Sequence, residues 1–505
     1  MSSRPLNPAS LPAQSSVWGD VRHGRFYNRR VITIVLGFLG LIVAQVVVAL
    51  GVEHRASMAL VAVLGGSGLV YVVLRHPSAL GYIALCWLVS EKIVEYHISV
   101  NRDTVDSMGN YLLVAALGWT LLLNLLRRRP LLSMRQIGGP LLLFVALSVL
   151  STFINNVPLH VAELGILSTT HSIIMFLIIV NVGVQVRDVE RFIYVVLGVL
   201  AVTSLVAVLQ GLHVGLAWKL AGGPAMETAS GTLRVSGLFE HPNTMGDFMA
   251  MTVPLGLMLF FFGGFRGNAR MALLLLNVVS LVALALTLSR ETWGALLLAT
   301  LFLGLTVEPK LRHVFFRLIV PGLVLGLLLF VPFLHRLQDT AKGDLRFSLL
   351  QATLPVIRDH LLLGAGPGRY GGHVALITHT PLYQQYQLPN FFYGTGGQID
   401  MFWTHLVAEA GLLGALSYLW IIGACFMVGR RAYRTAVTPR RRALLLGLLY
   451  AIPGTVLVSL LSTTLENNPT ATMFWTLLGG LTVLAAVPDA PPHSLQALGG
   501  EAMRG

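Results

Sequence analysis

Apolar runs of roughly 16 to 28 residues, separated by short polar stretches, fill most of this chain. A run of about 20 apolar residues is long enough to cross a hydrocarbon core of about 30 Å. The pattern predicts about fourteen transmembrane helices, at 31–50, 56–74, 79–98, 111–126, 140–156, 165–184, 192–213, 244–262, 271–288, 292–307, 318–334, 401–428, 443–463 and 470–487. The longest interruption is 335–400, which carries the glycine-dense GAGPGRYGG and ends in YGTGGQID. A shorter polar stretch lies at 215–243. The expected fold is all-α and polytopic. It divides into a tail (1–30), helices one to eleven (31–334), one long loop (335–400), helices twelve to fourteen (401–487) and a second tail (488–505).

Composition agrees. Hydrophobic residues are 55% of 505 and charged residues only 11%, with a mean hydropathy of +0.74. A soluble domain carries about 25% charged residues, so a water-facing globule is excluded. The net charge of +13 invites a nucleic-acid partner, but the basic residues sit in short loops between apolar runs, and that partner is set aside. Instead they sort by side. With the N-terminus inside, Arg75, Arg127, Arg128, Arg129, Arg135, Arg187, Arg191, Arg266, Arg270, Lys310, Arg312, Arg317 and the run RRAYRTAVTPRRR are all cytoplasmic, as the positive-inside rule expects. Both termini are then cytoplasmic, and 215–243 and 335–400 share the outer face. Arg22, Arg25, Arg29 and Arg30 lead into 31–50, which reads as an uncleaved first span. Cys86 and Cys425 lie far apart in apolar runs and imply neither a disulfide framework nor a metal cluster.

The charge bias makes outer-face arginines worth following: Arg234, Arg290, Arg336, Arg346, Arg358 and Arg369. Arg234 opens RVSGLFEHPN, which gathers a guanidinium, Glu240, His241 and Asn243 where the chain re-enters the bilayer. Pro242 and Asn243 suit a turn capping the next helix, which leaves Arg234 and the His–Glu pair for chemistry. Arg290, in TLSRETW, either snorkels to headgroups or grips a phosphate with its planar fork. Between Arg346 and Arg358, residues Leu349, Leu350, Val356, Ile357 and Leu361 mark an amphipathic helix expected on the membrane surface. Gly366, Gly368 and Gly371 match GxGxxG, but no strand–turn–helix context surrounds them, so a dinucleotide site is rejected. A glycine-dense turn with Arg369 either binds an anion through its N–H groups or is a plain hairpin. Finally, Asp400 stands at the start of a span on which His405 and Glu409, at i and i+4, share a face. Gly411 and Gly414 allow close helix packing there. In the third span, Lys92 and Glu95 are either functional or a mutually neutralising pair.

In this order the motifs Arg234–Asn243, Ser289–Arg290, Arg346 with the Gly364–Gly368 turn, and Glu409–Gly414 resemble the O-antigen ligase/polymerase superfamily of envelope glycan enzymes. The resemblance implies glycan transfer at the outer face of a bacterial cytoplasmic membrane. The donor is a glycan on undecaprenyl pyrophosphate and the acceptor a glycan or lipid, with other polysaccharide assembly proteins as further partners. It implies no metal, nucleotide sugar or other cofactor. Carried over position by position, Arg234 and Arg290 become pyrophosphate ligands, with Arg369 or Arg346 as the alternatives for a further one, both counted among the substrate-binding residues. His241, Asn243, Gly368, His405 and Glu409 become substrate-binding residues, and Asp400 the general base, with His405 in reserve. Ligases of this superfamily have a histidine followed by a small polar residue, eleven positions before the first glycine of Gly-x-x-Gly. Here that position holds Asp400, followed by Met401. The resemblance therefore favours a polymerase that joins repeat units over a ligase. The rival from another class is a transporter or flippase, which gathers polar groups near the bilayer midplane. Here they gather at one face.

Overall fold

The computed structural model describes residues 79, 81–86, 102–220, 226–227, 233–314, 316–317, 345–388, 399 and 401–487. The expected spans 31–50, 56–74 and 318–334, most of 79–98 including Lys92 and Glu95, and Asp400 lie outside these residues.

The described chain is overwhelmingly helical. Its first part comprises α1 (Arg102–Leu126), α2 (Gly138–Ile154), α3 (Leu159–Thr170), α4 (Ile173–Asn181), α5 (Val186–Gly211) and α6 (Gly215–Leu220). A two-stranded antiparallel ribbon follows, pairing β1 (Met226–Glu227) with β2 (Leu233–Arg234). Then come α7 (Pro242–Phe262), α8 (Gly267–Thr287), α9 (Arg290–Thr306) and α10 (Pro309–Val314). The expected loop contributes α11 (Leu345–Asp359), α12 (His373–Ile377) and α13 (Leu382–Gln385). The chain closes with α14 (Phe402–Thr435), α15 (Pro439–Val458) and α16 (Asn468–Ala486). Among the described residues six helices are long and apolar enough to cross a membrane, Arg135–Ile154, α5, α7, α8, α14 and α15, and the bent pair α3–α4 makes a seventh if it is one span.

One expected span is not a straight rod. The apolar run 165–184 is divided at His171–Ser172 into α3 and α4, which meet at 58°. His171 Nδ1 lies 2.8 Å from the Ser168 carbonyl and Ser172 Oγ lies 2.8 Å from His171 Nε2, so polar side chains occupy the bend. Such side-chain bonds compete with the helical ladder.

Burial separates the helices by role. In α7 and α15, 78% of the apolar window is buried, whereas in α8 only 22% is. Helices that are apolar all round belong inside, so α7 and α15 form the centre and α8 the rim. A Cβ on Gly447 of α15 would come 2.9 Å from Leu255 on α7, so the glycine permits this close packing. On α8, Leu275, Val278 and Val282 are exposed, as a lipid-facing surface requires. Phe144, Phe402 and Trp475 pack around the ring of Tyr418 at centroid distances of 5.6, 5.3 and 6.2 Å. This aromatic knot fixes α14 against α2 and α16.

Two further details differ from expectation. Leu349 and Val356 of α11 are buried with Ala365, Tyr370, Ile399 and Ala408. The apolar stripe of α11 therefore packs on its own segment and on α14, and only Leu361 of the expected set is largely exposed. Secondly, α14 runs to Thr435 and is interrupted at Gly411, where φ is 69° and ψ −178°.

Candidate functional site

The site grows from two helix starts at one end of the bundle. At the first, Pro242 opens α7, where its missing N–H costs nothing. The cap therefore falls on His241, whose Nδ1 accepts from the Asn243 N–H at 3.0 Å. The sequence had suggested Asn243 for that task. Freed from it, Asn243 Oδ1 accepts from Arg234 at 2.6 Å, and Arg234 Nε donates to the Thr287 carbonyl at 2.9 Å. Arg234 is thus held by two bonds in the gap between the end of α8 and the start of α7.

The second start is α9. Leu288 adopts a left-handed conformation with φ 54°, unusual for leucine, and this tight reversal makes Arg290 the first residue of α9. Gly246 lets α7 close on this turn: a Cβ there would stand 2.5 Å from Thr292 Oγ1 and 2.7 Å from Ser289 Oγ. Two positive helix ends therefore lie side by side.

Charge follows. Burial pulls the Arg234 guanidinium below its ordinary pKa; Glu291 opposes this, and Arg346 and Arg290 add to it. Arg346 reaches Glu291 at 3.8 Å. Three guanidiniums from β2, α9 and α11 are thus within electrostatic reach of one another. Such a cluster at two helix N-termini suits an anion with several oxygens. Arg290 is exposed and has no hydrogen-bond partner among the described residues.

The glycine-rich turn belongs to a different assembly. Glu409 is buried, and its two carboxylate oxygens accept from the Gly368 N–H at 2.9 Å and the Tyr370 N–H at 2.8 Å. Its carbonyl takes the Gly366 N–H at 3.0 Å. Tyr370 OH donates to Thr353 Oγ1 at 3.0 Å, which ties α11 to the turn. Arg369 donates to the Asn155 carbonyl at 3.1 Å, at the end of α2. Its contacts are with the scaffold, not with the other three arginines. His405 lies between two carboxylates, with Nε2 3.3 Å from Glu409 and Nδ1 2.8 Å from Glu466.

Both assemblies meet through the turn 459–467. Ser462 Oγ donates to Asp247 of α7 at 2.8 Å, while the Ser462 carbonyl accepts the Phe402 N–H at 3.2 Å at the head of α14. Ile399, the residue before Asp400, donates its N–H to the Gly371 carbonyl at 2.8 Å.

The resemblance set Arg234 and Arg290 together with Arg346 or Arg369 as alternatives, and of these two it is Arg346 that lies near them. Sequence reading did not find Asp247, Glu466 or Gln210. Asp247 looked like one polar residue within an apolar run, and Glu466 like part of a loop. Gln210 of α5 is fully buried; it accepts from Gly237 N–H at 2.9 Å and donates to the Gly237 carbonyl at 3.0 Å, fixing the loop that carries Arg234. An amide in the last turn of a span was the available signal.

Fold and geometry together define a multi-pass α-helical membrane protein with a cluster of arginines at one end of its bundle. Residues 257–419 match a family model described as O-antigen ligase, which supports the resemblance to the O-antigen ligase/polymerase superfamily over this segment. The match spans α9, α11, the glycine-rich turn and the first half of α14, and supports a membrane glycan enzyme of the ligase/polymerase kind. Comparison with curated proteins gave no match.

Proposed function

We propose that this protein is a metal-independent membrane glycosyltransferase that polymerises undecaprenyl-pyrophosphate-linked oligosaccharide repeat units at the outer face of the bacterial cytoplasmic membrane. One observation carries this reading: Arg234, Arg290 and Arg346 converge beside the N-termini of α7 and α9. A pyrophosphate leaving group gains negative charge as the glycosidic bond breaks. Fixed guanidiniums and helix ends aimed at that charge stabilise the transition state more than the ground state.

In the proposed reaction an acceptor hydroxyl oxygen bonds to the anomeric carbon of the donor. The bond from that carbon to the pyrophosphate oxygen breaks, and its electron pair leaves with undecaprenyl pyrophosphate. Asp400 takes the hydroxyl proton. Its chain neighbours Ile399 and Met401 adjoin the glycine-rich turn and the head of α14, which the turn 459–467 joins to α7. Under this reading, His405 and Glu409 shape the acceptor side by holding the turn rather than by touching sugar.

The second reading, transfer of a finished glycan to a lipid acceptor, is favoured by the description of the matched family as O-antigen ligase. The deciding experiment supplies purified protein in nanodiscs with the lipid-linked repeat unit, without metal or nucleotide. A ladder of lengthening glycans on a gel supports polymerisation, and a single shift that needs an added lipid acceptor supports ligation. Movement of the donor across a vesicle membrane without transfer refutes both.

A further inference from the structure

Two carboxylates at the arginine cluster are not explained by anion binding. Glu291 is in the first turn of α9, where an acid would ordinarily serve the helix dipole from the surface. Here its side chain is only 7% exposed, its contact with Arg346 is long at 3.8 Å, and Oε1 has no hydrogen-bond partner. Asp247 is one and a half turns into α7 and 4% exposed. Ser462 satisfies its Oδ2, but Oδ1 is buried without a partner. The two are neighbours across the close contact at Gly246, and Glu291 and Arg346 both act on Asp247 electrostatically.

Buried carboxylate oxygens that accept nothing are costly and are seldom kept without a use. In a site for pyrophosphate alone they are a handicap, since a carboxylate oxygen without a proton can donate nothing to the ligand and, when ionised, repels it. A hydroxyl-rich group attached to that pyrophosphate reverses the sign: sugar hydroxyls donate, and ionised carboxylates are strong acceptors.

We infer that Glu291 and Asp247 bind hydroxyls of the sugar joined directly to the donor pyrophosphate, so that this pair reads the sugar while the arginines read the phosphates. The inference rests on the donor proposed above. It divides the cluster into a sequence-blind part, which any polyprenyl pyrophosphate satisfies, and a part specific to the glycan.

Two probes test it: bare undecaprenyl pyrophosphate, and the lipid-linked repeat unit extracted from the host membrane, each titrated against protein in nanodiscs. Glu291→Leu is expected to leave bare-lipid affinity unchanged or raised, because a repelling charge is gone. The same variant should bind the glycosylated lipid about tenfold or more weakly, the size of one lost hydrogen bond to a charged group. Glu291→Gln, which keeps an acceptor oxygen, should recover part of that loss, and Asp247→Asn should behave like Glu291→Gln. Equal changes for both lipids, or identical behaviour of the Leu and Gln variants, would mean that the carboxylates only balance arginine charge, and the inference falls. If a thermal melt shows Asp247→Asn to be unfolded, the Glu291 pair decides. A wild-type protein that binds neither lipid removes the proposed donor itself, and the inference with it.

Discussion

Ser462 Oγ donates to Asp247 Oδ2 at 2.8 Å, joining residues 215 positions apart in the chain. The bond links α7, whose head lies beside the arginine cluster, to the turn that holds the start of α14. The two halves of the candidate site are therefore joined here, as they also are through α11, which carries both Arg346 and Thr353. Ser462→Ala leaves the buried Asp247 carboxylate with the Thr464 hydroxyl alone as a hydrogen-bonding side chain. It is expected to lower stability by about 1–3 kcal/mol, read as a lower midpoint of thermal unfolding in detergent. Ser462→Thr, which keeps the hydroxyl, should recover most of it.

Arg234 and Arg290 should respond differently to lysine. Arg234 uses Nε and a terminal nitrogen on two separate acceptors, a fork that an ammonium cannot reproduce. Arg234→Lys is expected to be nearly as defective as Arg234→Ala in glycan transfer. Arg290 is exposed and acts as a bare charge, so Arg290→Lys should keep a substantial part of the activity that Arg290→Ala loses. Initial rates across a range of donor concentrations check both. Lysine variants of equal activity would show that Arg234 is not held as described.

Glu409 gives a sharper chemical test. Both its oxygens accept from main-chain N–H groups, so an amide in its place presents an N–H to an N–H at one of them. Glu409→Gln is expected to loosen the turn Gly364–Gly371 at a cost of about 1–3 kcal/mol. The readout is faster proteolytic cleavage within 364–372, with cleavage elsewhere in the chain unchanged.

In α14, two glycines separate cleanly. Gly411 has φ 69°, and a Cβ there would stand 2.3 Å from the Leu362 carbonyl. Gly423, in the same helix, has nothing within 4 Å of its virtual Cβ. Gly411→Ala should abolish folded protein in membranes, whereas Gly423→Ala should be neutral or stabilising by about 1 kcal/mol. Fluorescence-detected size exclusion of the two variants distinguishes them.

The sequence made the apolar runs legible because period and length alone mark a helix that must satisfy its own backbone in lipid. Arg234, Arg290 and Arg346 stood out, with Arg369, because positive charge in segments expected on the outer face runs against a strong bias. The bend at His171–Ser172 had a signal that went unused, since Ser168, Thr169, Thr170, His171 and Ser172 form five consecutive polar residues inside the expected span. Asp247 and Glu466, by contrast, were hidden. Their partners, Ser462 and His405, are far away in sequence, and a carboxylate acquires meaning only from what it faces. His241 and Asn243 were found together but with their tasks exchanged, because which one caps depends on where Arg234 reaches.

The left-handed Gly411 interrupts the ladder of α14, and the N–H groups of Leu412 and Leu413 bond instead to the carbonyls of Leu361 and Leu362. Main chain of the intervening segment is thereby spliced into main chain of a membrane helix, independently of which side chains either carries. A chimaera that exchanges the outer segment with that of a relative cannot be cut at the end of the loop, where the hydropathy changes. The cut belongs after Leu413, inside the apolar run, so that the graft brings its own first turns of helix and its own splice.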